Sequence, residues 1–76
     1  MIKKIRIPKS KHDLGYTKNE IDLILKRLDI KRDLFNKVAG VNTVAVDEKT
    51  GETLMYRYDV QRFIEHISRG RPLIWD

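Results

Sequence analysis

The absence of cysteine from a chain of 76 residues sharply limits the folds that are open to it. The core of a domain of this length supplies only roughly 3–5 kcal/mol of stability, and without cysteine no disulfide or thiolate zinc site can add to that. We therefore expect one small domain over residues 1–76. An enclosed catalytic pocket would consume residues that this core needs, so we expect no enzyme. No apolar run approaches the roughly 20 residues that cross a membrane, and the expected location is cytoplasmic.

A specific start signal marks the first helix. Thr17 followed three residues later by Glu20 is a capping box, in which each side chain binds the other residue's backbone N–H. The apolar residues after it recur at helical spacing: Ile21, Ile24, Leu25 and Leu28. The pattern predicts a helix over residues 18–28.

A second short helix is predicted over residues 31–39. Its apolar residues, expected to face inward, are Leu34, Phe35 and Val38, and Gly40 supplies a stop. Two helices joined by a few residues are typical of a helix-turn-helix, although an ordinary helical hairpin that serves only the core has the same pattern.

From residue 43 the apolar period changes to two, which predicts a β-hairpin. Alternation runs over residues 43–46 and again over 53–58, and the loop between them contains Gly51, which can take the positive φ of a tight turn. Tyr56 and Tyr58 share a face with Leu54 and are predicted to be core. Asp59 is then the expected N-cap of a third helix over 60–68.

Both termini lie outside this predicted core of residues 17–68. The arm, residues 1–16, carries most of the net positive charge: residues 1–18 alone sum to +5, the net charge of the whole chain. Such an arm suits a polyanion such as nucleic acid, or simply keeps a small protein in solution. The apolar tail, residues 69–76, is expected to fold back on the core, with self-association or a partner contact through Trp75 as the alternative.

No arrangement for catalysis or cofactor binding is apparent in the sequence. His12 and His66 lie far apart without ligands at zinc spacing, and the glycines are scattered rather than arranged as a phosphate-binding loop. The sequence therefore predicts no metal and no cofactor.

The run from Met55 to Ile64, in which an aromatic strand end leads into Asp59-Val60 and a helix, resembles the ending of small winged-helix proteins of the excisionase and MerR-type group, often carried by phages and mobile elements. The resemblance spans about residues 17–67. It implies an α+β fold, a winged helix-turn-helix with three helices and a two-stranded hairpin as the wing. It also implies binding to double-stranded DNA, as a small regulator or an excisionase-like architectural factor.

In that mode the second helix enters the major groove, where Arg32 and Asn36 suit guanine and adenine edges. The expected wing contacts are Lys49, Thr50 and Arg57. The remaining expected contacts are to the DNA backbone or a minor groove: Lys3, Lys4, Arg6, Lys9, Lys11, Lys18, Lys31 and Lys37.

Two other functions fit the sequence less well. The acidic residues of the wing, Asp47, Glu48 and Glu52, favour an alternative in which a phage-type protein of this fold binds and inhibits a host or defence protein, as an anti-CRISPR-like inhibitor would. Binding of single-stranded nucleic acid ranks last, because it needs exposed aromatic residues and the tyrosines are predicted to be core.

Overall fold

The protein, seen in a computed structural model, is described over residues 4–40 and 44–76. The described residues form three helices and five short strands in two sheets. In chain order the elements are β1 Ile5–Ile7, β2 Gly15–Thr17, α1 Lys18–Arg27, α2 Arg32–Ala39, β3 Val44–Val46, β4 Thr53–Tyr56, α3 Arg57–Ser68 and β5 Leu73–Trp75. The α+β class is confirmed, whereas the strands outnumber the two that were predicted. Among these described helices, none has the length and apolar character needed to cross a bilayer.

The capping box at the start of α1 is confirmed. The Glu20 N–H donates to the Thr17 hydroxyl at 3.2 Å, and the Glu20 carboxylate accepts from the Thr17 N–H at 2.9 Å. After the C-cap Leu28, Asp29 takes a left-handed conformation with φ of 56°, which aspartate tolerates better than most residues. This turn ends α1 within one residue of the predicted boundary and leads into α2.

Helix α2 contributes one large side chain to the centre of the core. Phe35 is fully buried and meets Phe63 of α3 edge to face, with ring centroids 6.2 Å apart. The prediction that Leu34 faces inward is wrong, because its residue is 44% exposed. The buried face of this helix runs through Phe35, Val38 and Ala39, at i, i+3 and i+4, which leaves Leu34 at its rim.

The predicted hairpin is confirmed, and a third strand extends it. Strand β4 is central, with β2 and β3 both antiparallel to it. The loop closes with the Gly51 N–H on the Asp47 carbonyl at 2.7 Å, and Gly51 has φ of 74°. On the other side of β4, the backbone approaches so closely at Gly15 that a Cβ there would lie 1.9 Å from the Met55 oxygen, so only glycine fits.

The junction after β4 differs from the prediction. Helix α3 begins at Arg57, so Asp59 lies in its first turn rather than at the N-cap. The strand alternation stops at Tyr56, and the two tyrosines predicted to be core are exposed, Tyr58 by 77% and Tyr56 by 38%. Tyr58 belongs to α3. The alternation of side chains between the two faces of a strand, which predicted that Tyr58 shares a face with Leu54, therefore does not apply to it.

The N-terminal segment is part of the core rather than a separate arm. Ile7 is fully buried and Tyr16 is 2% exposed. Strand β1 pairs in parallel with β5, so that Ile7 lies beside Trp75. The prediction that the apolar tail folds back on the core is confirmed: the Trp75 ring contacts Tyr16 at 6.5 Å between centroids, and its indole N–H donates to Glu65.

Candidate nucleic-acid interface

The described lysines form an exposed set without internal partners. Each is exposed, and within residues 4–40 and 44–76 none of their ammonium groups makes an ion pair or a hydrogen bond. They are Lys4, Lys9, Lys11, Lys18, Lys26, Lys31, Lys37 and Lys49. All but Lys26 were predicted to contact DNA, and the remaining predicted lysine, Lys3, lies outside the described residues. These ammonium groups are free to meet an external anion.

Most arginines, in contrast, stabilise the fold. Arg27 donates to the Arg6 carbonyl at 3.2 Å, and Arg71 donates to the Leu28 carbonyl at 2.7 Å. Arg6 itself lies 3.6 Å from the Asp76 carboxylate, although its side chain is 70% exposed. Since the guanidinium fork spans several acceptors at once, these side chains tie loops and strand ends together.

Arg57 does not lie on the wing, contrary to the prediction. It is the first residue of α3, its N–H donates to the Leu14 carbonyl, and its guanidinium donates to the Asp13 carbonyl at 2.9 Å. The helix start at this position, rather than further along, removes Arg57 from the hairpin strand and directs it to the loop before β2.

The outward face of α2 carries the two residues predicted to read bases. Arg32 binds Asp22 of α1 at 2.7 Å, and its Nε–H donates to the Asn36 side-chain oxygen at 3.1 Å. The guanidinium also lies over the Phe35 ring, 5.3 Å from its centroid. Because the side chains of Arg32 and Asp22 are 32% and 48% exposed, this pair contributes at most about 1 kcal/mol and can exchange for another partner. Lys37 is exposed on the same short helix.

Two acidic residues of the hairpin loop, Asp47 and Glu52, have partners within the protein, whereas Glu48 is exposed. One Asp47 oxygen accepts from the N–H groups of Lys49 and Thr50, at 2.8 Å and 3.3 Å. The other lies 2.5 Å from Nδ1 of His12, whose Nε2 is 3.2 Å from Glu52. Lys49 and Thr50 are left exposed at the tip of the loop.

His12 was not identified from the sequence as a functional residue. Its hydrogen bond to Asp47 raises its pKa above the usual value near 6.5, and the nearby charges of Asp47, Glu52 and Glu20 act in the same direction. The backbone N–H of Lys49 and the His12 ring in turn lower the pKa of Asp47. His12 lies 35 residues before Asp47 in the chain, and no local sequence pattern links residues so far apart.

Glu20 connects this loop region to the start of α1. Burial disfavours its charge, but the Thr17 and Lys11 N–H groups and the Ser10 hydroxyl together lower its pKa. The Ser10 hydroxyl donates to Glu20 at 2.8 Å, and the Lys11 N–H donates at 3.0 Å. The capping residue of α1 therefore also fixes the segment that carries His12.

No protein-family model, curated protein or solved structure matches this chain significantly. Among the described residues, no group of three or more metal-binding side chains is placed to hold an ion. The assignment of function therefore depends on the charged surface and on helices α1 and α2.

Proposed function

We propose that this protein binds double-stranded DNA as a small winged helix-turn-helix, with α2 in the major groove and the β3–β4 hairpin as the wing. The observation that carries the proposal is that the basic and the acidic side chains differ in whether they have partners within the protein. Lysines are exposed and unpartnered over the described residues, whereas three of the acidic side chains, Glu20, Asp47 and Glu52, contact donors within the protein. This leaves a surplus of free positive charge in a chain of net charge +5, as a DNA-binding protein requires.

The order of elements supports this mode of binding. Helices α1 and α2 are joined by a tight turn at residues 28–31, and the hairpin follows α2 in the chain. The third strand β2 runs directly into the capped start of α1, so it ties the hairpin to the helix-turn-helix through continuous backbone. Such a frame holds a recognition helix and a wing in a fixed relation.

Asn36 and Lys37 are the residues of α2 best placed for contacts in a groove, since both are exposed. An asparagine amide can pair with an adenine edge, and a lysine suits a phosphate or a guanine. Arg32 joins them if DNA replaces Asp22 as its partner, which costs little because the ion pair is exposed. We assign sequence reading to Arg32 and Asn36, and backbone contacts to Lys31, Lys37, Lys49 and Thr50.

A titration of a random-sequence duplex with charge variants tests the proposal. Lys37→Gln and Lys31→Gln should each weaken binding and reduce the slope of log affinity against log salt by about 0.9, the value for one lost phosphate contact. The matched control is Arg62→Gln, which removes the same charge from a side chain on α3 that is 72% exposed. Equal losses in all three variants would mean that binding depends on net charge alone and that α2 does not enter a groove.

A protein partner is the second candidate, and one observation favours it. Leu14, Tyr56 and Tyr58 are all exposed, and they lie near one another because Gly15 pairs with Tyr56 and the Arg57 N–H binds the Leu14 carbonyl. Exposed aromatic and aliphatic side chains are typical of protein contacts. An inhibitor that used these residues would show little affinity for duplex DNA at physiological salt.

A further inference from the structure

The His12 side chain lies between two carboxylates of the hairpin. Its ring is 13% exposed, with Nδ1 at 2.5 Å from Asp47 and Nε2 at 3.2 Å from Glu52. A neutral imidazole carries only one N–H, whereas the imidazolium carries two. Both ring nitrogens therefore present an N–H to these carboxylates only when His12 is protonated.

The backbone that carries His12 is fixed from the other side by α1. The His12 N–H donates to the Ser10 hydroxyl at 3.1 Å, and that hydroxyl donates to Glu20, whose carboxylate also caps α1. The imidazole consequently bridges the helix start and the hairpin loop, two elements that are distant in the sequence.

Charges of both signs surround this ring. Asp47 and Glu52 from the hairpin contact it, and Glu20 of α1 acts on it through space. The other charged groups around the adjoining clefts are Lys9, Lys11, Asp13, Glu48 and Lys49. The carboxylates in direct contact stabilise the imidazolium, which is consistent with the raised pKa of His12.

We propose that His12 is a positioning residue for the wing: as an imidazolium it contacts both Asp47 and Glu52, offsets one of their two negative charges and fixes the loop so that Lys49 and Thr50 meet the DNA backbone. The inference rests on the proposed DNA binding. It accounts for an acidic hairpin in a DNA-binding protein, because part of its negative charge is balanced by a residue from another part of the chain.

The sign of the pH dependence follows from the raised pKa of His12. The stability that the contacts of His12 with Asp47 and Glu52 contribute is fully present at a pH below the pKa of His12 in the unfolded chain, near 6.5. It is lost as the pH rises through the higher pKa of His12 in the folded protein. Loss of the proton removes the positive charge of the ring and leaves the charges of Asp47 and Glu52 unopposed near the phosphates. DNA binding should therefore weaken on the alkaline side.

The test combines NMR with duplex titration on the intact protein. The His12 ring should titrate above the usual histidine range, with the exposed His66 observed in the same samples. Affinity for a random-sequence duplex should fall about three- to tenfold between about pH 6 and pH 9, because the hairpin loses one positive charge close to the DNA backbone. In His12→Gln most of this fall should disappear.

Glu52→Gln provides a second variant that leaves the histidine in place. It should lower the pKa of His12 and raise duplex affinity at about pH 9, because one repelling carboxylate is gone. A His12 that titrates at or below its usual value, or a His12→Gln protein with the pH dependence of the parent, would overturn the inference. Absence of duplex binding at every pH would overturn the proposed function and the role of His12 in it, while a raised His12 pKa would still establish the bridge.

Discussion

The two sheets of this small protein are built in opposite ways. In the three-stranded sheet, β3 and β4 are joined by a short loop, and β2 continues directly into a capped helix. In the two-stranded sheet, β1 and β5 come from opposite ends of the chain and pair in parallel. A pair of strands like this has little stability by itself, so it depends on the core beneath it. The comparison shows that local signals specify the hairpin of the first sheet, whereas burial of side chains determines the second sheet.

The largest effect is expected in the three-stranded sheet, at Gly15. In Gly15→Ala the new Cβ would lie 1.9 Å from the Met55 backbone oxygen, so β2 and β4 could not keep their spacing. We expect a loss of more than about 4 kcal/mol in the free energy of unfolding, measured by urea denaturation, which matches or exceeds the whole stability of a domain this small.

Gly51→Ala is the control for Gly15→Ala. Its Cβ would meet nothing within 4 Å, and only the positive φ of 74° opposes it. A cost of about 1–2 kcal/mol is expected. If the two variants were equally stable, the close contact between β2 and β4 would not exist.

The next largest effect tests whether the terminal pair belongs to the core. Ile7 is fully buried, so Ile7→Ala should cost about 2–5 kcal/mol, from lost burial and from the cavity left behind. Thermal or urea unfolding monitored through Trp75 would measure it, since β5 pairs with this strand. A variant that unfolds like the parent would show that residues 5–7 are a loosely attached arm, as the sequence alone suggested.

The contrast between local contacts and contacts that join distant parts of the chain explains which features could be predicted from the sequence. The capping box of Thr17 and Glu20, the helix stripe and the loop around Gly51 act within a few residues, and each lies in the structure where it was predicted. Tyr58 was misplaced because nothing in the local pattern shows where a strand becomes a helix. The parallel pairing of β1 with β5 is not encoded in any local pattern, because its partners meet only when the core forms.

The candidate site shows the same division. Residue type identified the lysines as DNA-contact candidates, and those that are described are exposed. The partners of the arginines could not be inferred, because Arg57 and Arg71 bind backbone carbonyls 44 and 43 residues away in the chain. His12 was missed for this reason too: its two carboxylate partners belong to a hairpin that only the fold brings near.

The salt dependence of duplex binding by the intact protein tests the central claim most directly. If the exposed lysines meet phosphates, log affinity for a random-sequence duplex should fall linearly with log salt, and four to six phosphate contacts would give a slope of about −4 to −5. Fluorescence anisotropy with a labelled duplex over a series of salt concentrations would measure it. A slope near zero, or no binding even at about 50 mM salt, would contradict the account and favour a protein partner that contacts the exposed Leu14, Tyr56 and Tyr58.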